Sequence, residues 1–135
     1  MSKESDGFGE MFTRIVRDGS ARYFDEIVAG ETATPWFKNI QQALAQVDDE
    51  TREMFKTVLM MVLDNTGFEL LERIGEPDDE DLKIELKVNG QDILNEPEGL
   101  HEDTFSWTEK YSELPTTVEM LKKYGTTGWP RALLK

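Results

Sequence analysis

A chain of 135 residues, 38% strictly apolar and 32% charged, is long enough for one domain with a real core and carries a strongly solvated surface. It has no cysteine, which excludes structural disulfides, cysteine-ligated zinc, iron–sulfur clusters and thiol catalysis, and its single histidine excludes a histidine-rich metal site. The net charge of −13 is uneven: residues 1–63 hold 11 acids and 7 bases, residues 64–119 hold 17 and 4, and residues 120–135 hold no acid and 4 bases.

Residues 1–6 are polar and lack the apolar core of a signal peptide, so they read as a disordered tail before a single globular domain over 7–135. The longest apolar run, Val58 to Leu63, is far short of the roughly 20 residues that span a bilayer. A cytoplasmic protein is the expectation. Phe8, Met11, Phe12, Ile15 and Val16 mark one face of a first helix. Asp18-Gly19 is expected to end it, with Ser20 capping a second helix that buries Tyr23, Phe24, Ile27 and Val28 and stops at Gly30.

Thr34-Pro35 signals another start, followed by Trp36, Ile40, Leu44 and Val47 at helical spacing. Asp48-Asp49-Glu50 supplies the negative charge that a helix N-terminus favours. The next helix is apolar almost all round from Val58 to Leu63 and is expected to be the most buried. Residues 49–74 form either one helix or two, because Thr66 and Glu69 fit a capping box while Leu59, Leu63, Leu70 and Ile74 continue one stripe. A break is the reading preferred.

The period then changes to two. Leu82, Ile84, Leu86 and Val88 alternate with charged residues as in a half-buried strand, and Asn89-Gly90 is a strong hairpin signal. A two-residue turn would pair Val88 with Gln91 and Leu86 with Ile93. Residues 95–103 read as an acidic loop, and Thr104 to Thr108 as a further strand with Phe105 and Trp107 on one side. Thr116 to Glu119 forms a capping box opening a short helix, stopped by Gly125, and Trp129 and Leu133-Leu134 predict a tail that docks. The expected fold is α+β and mostly helical. It has four or five N-terminal helices, a small antiparallel sheet over about 82–108 and one short C-terminal helix.

No cofactor motif is present: there is no GxGxxG, P-loop or HExxH. The run Glu76-Pro77-Asp78-Asp79-Glu80-Asp81 fails as a calcium loop, since the sixth position from Asp78 is Lys83 rather than glycine, and it reads as a solvated turn. His101, among Glu98, Glu102 and Asp103, is the one weak catalytic candidate as a general base, with Ser106 nearby in sequence. Gly125 to Gly128, flanked by Lys122, Lys123 and Arg131, follows a helix instead of opening one, so it reads as a helix end before it reads as an anion site.

Three function classes follow. The first is a non-enzymatic interaction module of the inhibitor or immunity type. It would meet a partner protein's basic surface through the 64–119 segment, with Asp78, Asp79, Glu80, Asp81, Glu96, Glu98, Glu102 and Asp103 as contacts and Trp107 as anchor. The second is a small-molecule binder or hydrolase using His101 and neighbouring carboxylates. The third is an accessory subunit of a larger assembly. Direct nucleic-acid binding and membrane binding are not expected, because no basic stripe and no spanning segment is present. Composition leaves the oligomeric state open.

Overall fold

The computed structural model describes residues 2–31, 35–96 and 99–123. The protein is α+β and mostly helical. Its elements are α1 (Lys3–Phe12), a π-helical segment (Thr13–Asp18), α2 (Gly19–Ala29), a 3-10 turn (Pro35–Phe37), α3 (Lys38–Gln46), α4 (Asp49–Gly75), β1 (Lys87–Val88), β2 (Gln91–Asp92), a second 3-10 turn (Leu100–Asp103), α5 (Thr104–Tyr111) and α6 (Thr117–Lys122).

Residues 2–6 are not a tail. The Ser2 hydroxyl caps α1 by accepting from the Ser5 amide at 3.1 Å, and Ser5 is buried. Nor does Asp18-Gly19 break the chain: Gly19 keeps helical angles and its N–H donates to the Arg14 carbonyl, so helix runs from residue 3 to 29. The buried stripe explains the π segment. Ser5, Gly9, Thr13, Arg17 and Ala21 recur every four residues and are all buried. A four-residue repeat drifts by about 40° per step around a 3.6-residue helix, and wider π turns absorb that drift. The expected apolar stripe lies beside this row: Phe8, Phe12 and Val16 are half-buried, while Met11 and Ile15 face solvent. Gly30 ends α2 in the left-handed conformation.

Asp48 caps α4 by accepting from the Thr51 amide at 2.7 Å, which holds its carboxyl below the ordinary range. The helix then runs unbroken to Gly75, and the capping box at Thr66 is not used. Continuity serves packing, because the buried Gly67 receives the Phe12 ring, 3.2 Å from where a Cβ would sit.

The sheet is smaller than expected. Only Lys87–Val88 and Gln91–Asp92 pair, antiparallel, with Val88 opposite Gln91. Ile93 N–H donates to the Leu86 carbonyl at 3.0 Å, so the register read from the Asn89-Gly90 turn holds, with φ of +51° and +80° at those two residues. Residues 82–86 carry no helix, turn or bend and lie outside the ladder. Residues 104–108, expected as a strand, open helix α5. Helical geometry separates Phe105 from Trp107, leaving the first exposed and the second fully buried. Thr116 caps α6 by accepting from the Glu119 amide at 3.2 Å. Gly125, the tail and Thr34 lie outside the described residues.

The core is Leu71, Ile93, Leu100 and Trp107, with Phe8, Phe12, Leu86, Val88, Leu94 and Tyr111 packed around them. Phe8 meets the Trp107 indole edge-on at 6.1 Å, and Gly9 lies so close beneath it that a Cβ would stand only 2.1 Å from the nearest ring atom.

Candidate interaction surface

Helix α4 stops because Pro77 lacks an amide hydrogen and cannot extend the ladder, and Glu76 makes the last bond, donating to the Glu72 carbonyl at 2.9 Å. The chain then folds into a tight turn. The Asp79 carboxylate accepts from the Asp81 amide at 2.9 Å, and the Leu82 amide donates to the Asp79 carbonyl at 3.0 Å. Asp78, Asp79, Glu80 and Asp81 are all exposed. Arg73 on the last turn of α4 pairs with Asp78 and is the cation that meets this run. Five acids of the six residues 76–81 are therefore exposed, against one guanidinium among the described residues.

The other expected contacts divide. Glu96 is half-buried and accepts from the Ser2 and Ser5 hydroxyls. Burial pushes its carboxyl up, but those hydrogen bonds outweigh burial and hold it below the ordinary value. Glu96 thus ties down the start of α1 and is no docking residue. Glu98 lies outside the described residues. Asp103 is half-buried at the start of α5. Trp107 cannot anchor a partner, because it is the centre of the core. Glu102 is exposed and meets His101 Nε2 at 3.2 Å. The His101 ring stands edge-on against Phe68 of α4, centroids 5.2 Å apart. That contact brings Glu102 to the half of α4 that carries exposed Glu69 and leads into the acidic turn.

Sequence reasoning missed a second feature. The end of α1, the π segment, α4, α5 and the start of α6 line a groove of about 260 Å³. Its walls are Phe12, Val16, Leu63, Phe68, Phe105 and Val118, with threonines at 13, 104, 108, 116 and 117 between them. At one side Arg17, almost fully buried, donates to Asp64 at 2.9 Å, to the Ser112 hydroxyl at 2.7 Å and to the Pro115 carbonyl at 2.7 Å. Asp18 accepts from the Ser112 hydroxyl and from the Glu113 amide, and Thr117 donates to Asp64. This network satisfies the loop between α5 and α6 and occupies its own charged groups with hydrogen bonds, so the groove presents mainly carbon. The four-residue repeat through Arg17 is the only sequence signal of it.

Among the described residues no group of three or more metal-ligating side chains converges. No helix of the described residues is long and apolar enough to cross a membrane. His101 does not line the groove, and the acid that does, Asp64, is held by Arg17 and Thr117. Comparison with protein-family models, with curated proteins and with solved structures gave no match.

Proposed function

We propose that the protein is a cytoplasmic, non-catalytic interaction module of the inhibitor or immunity type, whose acidic end receives a basic surface on a partner protein. The observation that carries this reading is the exposed turn 76–81, where among the described residues one ion pair, Arg73 to Asp78, answers five acids. A single-signed surface raises encounter rates with an oppositely charged partner and repels wrong ones. It also repels a phosphate backbone, which sets this reading against direct nucleic-acid binding. Glu69 and Glu102 extend the same end. The residues that leave the set, Glu96 and Trp107, leave it because the fold needs them inside.

The test is retention of a partner from cell extract by the immobilised protein at low salt, with release as ionic strength rises and exposed charges are screened beyond about 8 Å. Retention indifferent to salt, or no retention at low salt, overturns the acidic docking reading.

The groove supports a second reading, in which a small apolar ligand sits between the π segment and α5. Concave, carbon-lined sites with few polar groups are the usual ligand pockets. Binding of an uncharged apolar dye by the wild type and its loss in Phe105→Asp would support it. A dye that binds neither chain removes it.

A further inference from the structure

The segment 82–86 is an incomplete strand. It carries no helix, turn or bend and continues directly into β1, yet among the described residues no main-chain group of 83–85 bonds to another backbone group. Leu82 and Ile84 are 52% and 39% exposed, while Leu86 and Val88 on the same face pack on the core. An extended, unpaired run with apolar residues on one face is the template for strand addition.

We propose that a second copy of this chain fills that edge, through antiparallel pairing of 82–86 with itself about a two-fold axis at Ile84. The charge pattern supplies the occupant. In that register Ile84 faces its own counterpart and Leu82 faces the second copy's Leu86. On the other face Lys83 meets Glu85, twice by symmetry. Every charged residue of the segment finds an opposite charge, and every apolar one an apolar partner.

The backbone agrees. Leu86 turns its carbonyl to Ile93 on the β2 side. Antiparallel strands alternate the direction of their main-chain groups, so those of residues 83, 85 and 87 point to the opposite, open edge. Residues 83 and 85 then form the hydrogen-bonded pairs, and Ile84 the closer non-hydrogen-bonded pair on the axis. Glu85 and Lys87 already sit together at 3.0 Å on the charged face, whereas Lys83 has no acidic partner among the described residues. The second copy's Glu85 would supply one. The product is a four-stranded sheet, β2–β1–β1–β2, covering the core edges of both copies. This proposal does not rest on the acidic docking reading, and its readout is mass, not salt-dependent capture.

The test is sedimentation equilibrium of four samples: wild type, Lys83→Glu, Glu85→Lys, and an equimolar mixture of the two variants. Lys83 and Glu85 are exposed, so circular dichroism should show unchanged folds. The wild type should be a dimer. Each single variant places like charges opposite each other twice and should raise the dissociation constant roughly tenfold or more. The mixture should recover the dimer, because each variant complements the other. The double variant K83E/E85K should likewise dimerise alone. A wild type that stays monomeric at its highest soluble concentration overturns the proposal. So does a dimer indifferent to both single variants, or a mixture no tighter than its parts.

Discussion

The two halves of α4 are packed very differently. Towards its C-terminus the helix is mostly sealed, with Leu70 as its one exposed apolar side chain at 51%: Gly67 takes the Phe12 ring, and Leu71 joins Ile93, Leu100 and Trp107 in a core with no exposed member. Towards its N-terminus Thr51, Met54, Thr57 and Met60 are buried in a single row, while Phe55, Val58 and Val62 remain 41%, 43% and 56% exposed. The more apolar half is therefore the more open one. What closes a helix face is a neighbour that can come near. Gly9 and Gly67 allow that beside Trp107 and Phe12, and α2 offers the other half an ion pair, Lys56 to Asp25 at 2.8 Å, in place of a ring. Apolar content sets how much a segment gains from burial; small residues at the crossing decide whether burial is reached.

The largest effect should come from the sealed half. Trp107→Ala should cost about 3–5 kcal/mol in a urea unfolding experiment, because it empties the centre of the cluster. Gly9→Ala should cost about 1–3 kcal/mol by overpacking the same indole, although alanine is the better helix former. If both changes were mild, the core would be elsewhere.

The polar lock ranks next. Arg17→Met keeps most of the side chain's length but strands the Leu114 and Pro115 carbonyls and leaves Asp64 without its guanidinium, at a cost of about 1–3 kcal/mol. The same denaturation curves check it. A negligible change would mean that the loop after α5 is held by other contacts.

Acid should weaken the fold through Asp6 before it touches the core. Hydrogen bonds from Lys110 and Tyr111 hold the Asp6 carboxyl below its ordinary value, and Glu96 is held low by Ser2 and Ser5. A folded pKa below the unfolded one stabilises the fold above the ordinary carboxylate range of about 4, and that stability is lost as pH falls through the depressed value. Urea midpoints should be flat down to that range and fall below it, and Asp6→Asn should flatten the fall. A midpoint that rises on acidification would contradict these bonds.

The smallest effect belongs to the open half. Val58→Ser with Val62→Ser should shift the free energy of unfolding by no more than about 0.5 kcal/mol per site, as for exposed positions elsewhere. A loss near that of a core truncation would show the face to be covered.

The elements that were legible in the sequence are those decided within a few residues. The caps Asp48 and Thr116, the stop at Gly30 and the Asn89-Gly90 hairpin each depend on one side chain or one backbone angle. What was not legible depends on partners distant in the chain. Thr66 offers a cap that α4 ignores because Phe12 needs Gly67 in a continuous helix. Alternation at Thr104–Thr108 fits a strand as well as a helix until Leu100 and Leu71 claim Trp107. The acidic turn was visible as a run, whereas the removal of Glu96 required knowing that Ser2 and Ser5 fold back onto it from the far end of the chain. The groove draws residues from five elements, and only the four-residue repeat through Arg17 marks it in the sequence.

The most direct measurement is the affinity of a captured partner for three chains at low salt: wild type, Asp79→Asn/Glu80→Gln/Asp81→Asn, and Val58→Ser/Val62→Ser. Loss of binding in the neutralised turn, with binding kept in the serine chain, is the predicted result. Binding that survives neutralisation of the turn and fails on the α4 face would move the partner from the acidic end to the open helix.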